Sequence, residues 1–188
     1  RKKHAECKLV EVIEKSSLEE ETPYQPISGA PFINLPINVQ KDFKKDTCFN
    51  VYQRIGKCQN IEEIFDEYIE SPSSFHYRNK MEYSFSAIGY DLETKQEFDG
   101  FALGFKKRGT WWIVENLMKD SGLFDTDFEN KLKDIKAFCE NSGLPAWHPP
   151  KKVGFFRYLV VRKSYKDNQL LLKLVTSDAN IEQFDFKA

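Results

Sequence analysis

Two pairs of segments with apolar side chains at every second residue constrain this chain more than anything else in it. The first pair covers 81–91 (MEYSFSAIGYD) and 98–106 (FDGFALGFK), joined by the polar stretch LETKQ. The second covers 157–165 and 169–177, joined by Lys166-Asp167-Asn168. Such alternation places successive side chains on opposite faces, as in a strand buried on one side. Short polar links between two such runs make hairpins. A shorter run at 111–115, after Gly109, adds a fifth strand. Elsewhere the period lengthens. Val39, Phe43, Val51 and Ile55 fall at multiples of four, which predicts a helix from about Asn38 to Gly56. A second helix is expected from Asn60, with Glu63 completing its cap, through Ile69 to a stop at Pro72. A third should start at Asp125 or Thr126, with Thr126 and Glu129 as a capping box, and present Phe128, Leu132, Ile135, Phe138 and Cys139 before Gly143. The expected fold is α+β: an antiparallel sheet of about five strands with helices packed on one face.

The chain has 188 residues, enough for one domain or a domain plus a fragment. Sixteen Phe, eight Tyr and three Trp exclude disorder as its general state. No stretch reaches 18 consecutive apolar residues, so no membrane-spanning helix is expected. The opening RKKHAECK lacks the apolar core of a secretory signal. These features predict a cytoplasmic protein, read as a monomer with no membrane partner. The first residue is Arg1 rather than Met, which suggests a piece of something longer. Residues 5–13 alternate loosely and read as a strand, and 14–37 read as linker and loop. Cys7, Cys48, Cys58 and Cys139 are irregularly spaced without a CxxC, as in a protein of free thiols, and His4, His76 and His148 are scattered.

Net charge is −1, yet charge is unevenly placed. Residues 143–165 contain no acid but carry Lys151, Lys152, Arg157, Arg162 and Lys163; 101–114 contain no acid but carry Lys106, Lys107 and Arg108. Residues 60–70 hold five acids and no base. Acid-free basic stretches are either solvated surface or an anion-binding face. Three blocks concentrate them. In SPSSFHYRNKMEYSFS, a Ser-Pro loop feeds a strand opening on Arg78, Asn79 and Lys80. Arg forks suit phosphates and base edges, and Asn suits base edges; alternatively, Arg78 or Lys80 pairs with Glu82. In LGFKKRGTWWIVEN, three bases lie beside two indoles, a pattern suited to single-stranded RNA; alternatively, the segment is a charged hairpin tip with one indole in the core. In GFFRYLVVR, Arg157 and Arg162 are five apart, so a regular strand turns them to opposite faces. No glycine-rich phosphate loop after a strand, no GxSxG and no HExxH occurs. No residue is therefore a candidate for catalysis or metal ligation.

Taken together and in this order, the three blocks resemble those of the RNA (uracil-5-)-methyltransferases, class I enzymes that methylate C5 of uridine in ribosomal or transfer RNA. The resemblance implies that residues 1–23 are the end of a TRAM-like β-barrel and a linker. It implies that 24–188 form the central RNA-binding α+β domain, and that a catalytic S-adenosylmethionine domain lies beyond 188. Many family members bind a 4Fe–4S cluster through a Cys, a CGGC and a later Cys. Here Ile27 and Ala30 stand at the CGGC cysteine positions and the later site falls near 117–119, without Cys. Cluster ligation needs thiolates, so no iron–sulfur cluster is expected. The implied chemistry is covalent: a thiolate adds to C6 of uracil, C5 takes the methyl group, and a base removes the C5 proton. The methyl-donor pocket, nucleophile and base of the family match nothing here, so this part should bind no S-adenosylmethionine. It would bind and position RNA through Arg78, Asn79, Lys80, Lys106, Lys107, Arg108 and Arg157. The competing reading is a stand-alone RNA-binding or protein-interaction module without catalysis.

Overall fold

The computed structural model describes Ala5, Cys7 and residues 9–185. The chain divides into two compact units. One takes in the described residues up to Glu21 together with Asn34–Tyr68; the other takes in Thr22–Ile33 and the described residues from Ile69 onward.

The first unit carries helices α1 (Ile37–Arg54) and α2 (Ile61–Ile64). Helix α1 follows the expected bounds but buries none of its residues. Helix α2 stops well short of the expected Pro72, because Phe65 already turns to extended geometry. The acid run explains this: Glu62/Asp66, Glu63/Glu67 and Asp66/Glu70 would sit at like-charged i,i+4 spacing in a continued helix, and carboxylates oppose the negative C-terminal end of the helix dipole. Asn60 makes no side-chain cap to the backbone; its amide donates to the Glu63 carboxylate instead, at 3.3 Å. The strand expected over 5–13 is not formed at 9–13, where no ladder partner lies among the described residues. Residues 6 and 8 of that stretch, and 1–4 before it, lie outside the described residues.

The second unit holds the sheet: β1 (Lys80–Tyr90), β2 (Glu97–Lys106), β3 (Val114–Asn116), β4 (Phe156–Ser164) and β5 (Gln169–Thr176). Its order is β2-β3-β1-β4-β5, with β1 also pairing β2 directly. The expected antiparallel pairings hold except at β3, which runs parallel to β1 (Gly89 opposite Val114) and antiparallel to β2. Strands β1, β2 and β3 thus each pair with the other two. The third strand begins later than expected: Trp111 and Trp112 form bends and Ile113 stands outside the ladder.

Helices α3 (Thr126–Glu129) and α4 (Leu132–Asn141) come between β3 and β4, and α4 packs on β2. The cap of α3 is Asp125, whose carboxylate accepts the Phe128 N–H at 2.8 Å. The expected capping box fails because Thr126 and Glu129 are otherwise engaged. The core gathers Met81, Tyr83 and Phe85 from β1, Phe101 and Leu103 from β2, Leu159 and Val161 from β4, and Leu132 and Cys139 from α4. Within it, Glu129 accepts hydrogen bonds from the Tyr83 hydroxyl (2.8 Å), the Ser121 N–H (2.7 Å) and the Ser121 hydroxyl (2.9 Å). Among the described residues, no helix is long and apolar enough to cross a membrane.

Candidate nucleic-acid interface

A β-bulge between Ser86 and Ile88 organises the most distinctive surface of the sheet unit. Bulges free backbone and side-chain groups from the ladder and re-aim them. Here the Ala87 N–H donates to the Trp147 carbonyl at 2.8 Å, and the Ser86 hydroxyl donates to the Trp112 carbonyl at 2.8 Å. One irregularity in β1 therefore fixes two indole-bearing loops. Between them lies a pocket of about 270 Å³, lined by Trp111, Trp112, Trp147 and Tyr158, with Lys106, Lys152 and Arg157 among its walls and no carboxylate. The Arg157 guanidinium lies 4.4 Å above the Trp147 ring, a cation–π contact. Its Nε is buried with no hydrogen-bond partner among the described residues.

Of the seven residues singled out in the sequence, Lys106 and Arg157 meet at this pocket. Lys107 lies 4.0 Å above the Tyr90 ring. Burial raises the pKa of Glu115, partly offset by the charge of Lys107. Arg108 is exposed at the turn beyond β2. Arg78, Asn79 and Lys80 gather where β1 begins, with Lys80 opposite Arg162 on β4. Arg162 is exposed and Arg157 half-buried, but β4 carries a register irregularity between Phe156 and Tyr158, so the regular-strand spacing that was to part the two does not hold at Arg157.

At Arg78, the backbone N–H donates to Leu123 and the carbonyl accepts from the Tyr165 hydroxyl at 2.9 Å. The guanidinium rests on the Met81 sulfur at 3.9 Å. Among the described residues, no ion pair joins Arg78 or Lys80 to Glu82.

A second cluster escaped sequence reasoning. His76 sits at φ 54, in the left-handed region, with its N–H on Gly122 and its carbonyl held by the Tyr165 hydroxyl. Its ring lies 2.9 Å from Asp120, and the Thr126 hydroxyl bonds Asp120 at 2.7 Å. Beside it, Lys163 pairs with Asp125. Burial alone would raise Asp120, but the Thr126, Gly122 and His76 hydrogen bonds outweigh it and hold the carboxyl below its ordinary value. Asp125 is likewise held down by Lys163 and the Phe128 N–H against burial. Thr126 had the sequence position of a helix cap, and only the third dimension brings it to His76. With Asp125 and Asp127 lining the adjoining cavity, this is an ion-pair network rather than an anion site.

The segments aligned with the family's cluster cysteines do meet. Gln25 donates its amide to the Asn116 carbonyl and accepts the Met118 N–H, each at 2.8 Å. What they bring together is apolar: Ile27 and Leu117 are buried in the core, and Ala30 packs against it. These side chains do not fit an iron–sulfur cluster. Cys139 is buried in the same core, and burial pushes its thiol up to about 11.

Comparison with known proteins bears on what this surface serves. The chain is 34% identical, over 98% of its length, to an uncharacterized RNA methyltransferase of Caldanaerobacter subterraneus. This chain is thus similar, almost end to end, to a segment of an RNA methyltransferase. It is also 25% identical, over 72% of its length, to the tRNA (uracil(54)-C(5))-methyltransferase of Pyrococcus abyssi. A crystal structure of that archaeal enzyme in complex with S-adenosyl-L-homocysteine matches the fold with a TM-score of 0.62 and 22% identity, covering 94% of this chain. The chain spans only 39% and 32% of the lengths of these two relatives, and 37% of the solved chain. No family model matches it.

Proposed function

We propose that this chain is the RNA-binding and positioning part of a cytoplasmic methyltransferase that moves a methyl group from S-adenosylmethionine to C5 of uridine in ribosomal or transfer RNA. The observation that carries this reading is the acid-free aromatic pocket with Lys106 and Arg157 at its walls, in a chain that aligns almost end to end with a segment of an RNA methyltransferase. Residues 24–188 would act as the central domain and 1–23 as the end of a TRAM-like module. The methyl donor, which supplies an electrophilic methyl group, would be held by a further domain beyond 188. Within this chain, stacking surfaces and cations grip the RNA strand, and no residue takes part in bond making.

The reading is tested by titrating labelled single-stranded RNA into the protein at several salt concentrations. Each neutralised phosphate should contribute a slope of about 0.7 to the fall of log affinity with log salt. Affinity indifferent to salt would mean that the basic segments are only solvated surface.

Arg78 gives a sharper test. Beyond the Met81 sulfur its guanidinium has no hydrogen-bond or ion-pair partner among the described residues, and an Arg on a phosphate or base edge contributes about 1–3 kcal/mol. In the longer enzyme, Arg78→Ala should therefore cost about tenfold or more in methylation efficiency with an unchanged melting temperature. Glu82→Ala should change neither, since no ion pair links it to Arg78. Equal loss in both variants, or activity lost only in step with stability, would assign Arg78 a structural role.

A further inference from the structure

We infer that the pocket beneath the β1 bulge receives one unpaired, extruded base of an RNA strand, stacked against indole, with the adjoining phosphate facing Lys106 and Lys152. This rests on the RNA-binding reading above and adds to it the chemical identity of what enters the pocket.

Four observations converge. Trp111, Trp112 and Trp147, all the tryptophans of the chain, line this one pocket. Indole faces hold bases by stacking regardless of sequence, which suits a base taken out of its own stack. The volume of about 270 Å³ falls just below the roughly 300–1,000 Å³ of clefts that hold drug-sized ligands, so it suits a single planar ring better than a cofactor. Lys106, Lys152 and Arg157 make the walls cationic with no carboxylate among them, which disfavours the quaternary-ammonium ligands that aromatic cages otherwise take. Finally, the buried Arg157 Nε is a donor with no acceptor among the described residues. A buried donor is normally satisfied, and a base edge or phosphate oxygen would satisfy this one. The pocket is also preorganised: the Ala87 N–H and the Ser86 hydroxyl hold the Trp147 and Trp112 backbones in place before any ligand arrives.

Because every tryptophan lies here, indole emission, excited selectively over that of the eight tyrosines, reports on this pocket alone. The experiment titrates the 188-residue chain with an oligouridylate of about ten nucleotides, following indole emission and the anisotropy of a label on the RNA together. Emission should quench along the same isotherm as the anisotropy rises. Anisotropy that rises without any change in indole emission overturns the base pocket and leaves RNA binding standing. No change in either signal overturns the RNA-binding reading itself. Trp111→Ala completes the test, since this indole is largely exposed and its loss leaves the core intact. It should weaken oligouridylate binding about tenfold while leaving an abasic oligomer of equal length unaffected. An equal loss on both oligomers makes the pocket a phosphate site and refutes base stacking.

Discussion

Gly104→Ala should lose about 3–5 kcal/mol of stability, a large part of the roughly 5–15 kcal/mol by which a domain of ordinary size is stable. A Cβ at Gly104 would lie 2.0 Å from the Glu115 carbonyl oxygen and 2.7 Å from the Leu117 nitrogen, both backbone atoms. No rotamer relieves such a clash, so β3 has to move away from β2. Strand β3 is also paired with β1 and follows directly on Trp111 and Trp112, so the movement disturbs the aromatic pocket as well. Gly100→Ala is the matched control. It lies on the same strand, and its Cβ would meet only the Phe98 ring at 3.5 Å, an ordinary contact. Urea midpoints of the two variants decide the matter. A small effect at Gly104, comparable with that at Gly100, would show that the β2–β3 ladder yields easily and is not what holds β3 in place.

The second large effect is expected at Glu129. Glu129→Ala leaves the Tyr83 hydroxyl and both Ser121 donors buried without an acceptor, and should cost about 3 kcal/mol or more. The pH dependence has a definite sign. Burial raises the Glu129 pKa above its ordinary value of 4.5, and the hydrogen bonds from Ser121 and Tyr83 recover only part of that rise. The same carboxylate, after burial itself, helps to push the Tyr83 phenol far above its normal range. A group whose pKa is raised by folding gives its stabilisation in full below the unfolded pKa, and loses it as pH rises through the folded pKa. Asp120 and Asp125 are shifted down, so their contribution is present above about 3.8 and is lost as pH falls through their folded values. The melting temperature should therefore fall toward acid through the aspartates and fall on the alkaline side of 4.5 through Glu129. Glu129→Gln should remove the Glu129 part of the second decline, leave the part due to Glu115, whose pKa burial also raises, and keep the first. A variant that retains the full alkaline decline would show that Glu129 is not its source.

The strands were legible because alternation is a local property of the sequence. Strands β1, β2, β4 and β5 lie within a residue or two of their expected bounds, and Gly56 and Gly143 follow the ends of α1 and α4. Two of the misreadings share one cause, competition from a partner outside the local segment. Thr126 and Glu129 have the spacing of a cap, but His76, Asp120, Tyr83 and Ser121 claim their side chains. Trp111–Ile113 have the composition of a strand, but the Ser86 hydroxyl takes the Trp112 carbonyl. Like charge shortened α2, a cost visible in the sequence but outweighed in the reading by its apolar spacing. At the candidate site, the basic and aromatic residue types that line the pocket were legible in the sequence. Their division into a pocket pair (Lys106, Arg157) and a strand-end group (Arg78, Asn79, Lys80) depends on the bulge at 86–88. Nothing in a run of small residues announced that bulge, and Trp147 and Lys152 were not singled out for the same reason.

The central place of β1 has a consequence for the order of assembly. The β1–β2 and β4–β5 hairpins each close through a short turn, so their contacts are local and the entropy of closing them is small. The β1–β4 ladder and the parallel β1–β3 pairing join segments far apart along the chain, and these must wait for larger loops to close. The rate-limiting event expected from this topology is the docking of one preformed hairpin on the other along β1, with β3 paired beside it. The aromatic pocket draws its walls from β1, β2 and β4 and from the loops before β3 and before β4. It comes into being only at that last step, so an incompletely folded chain has its hairpins before it has the pocket.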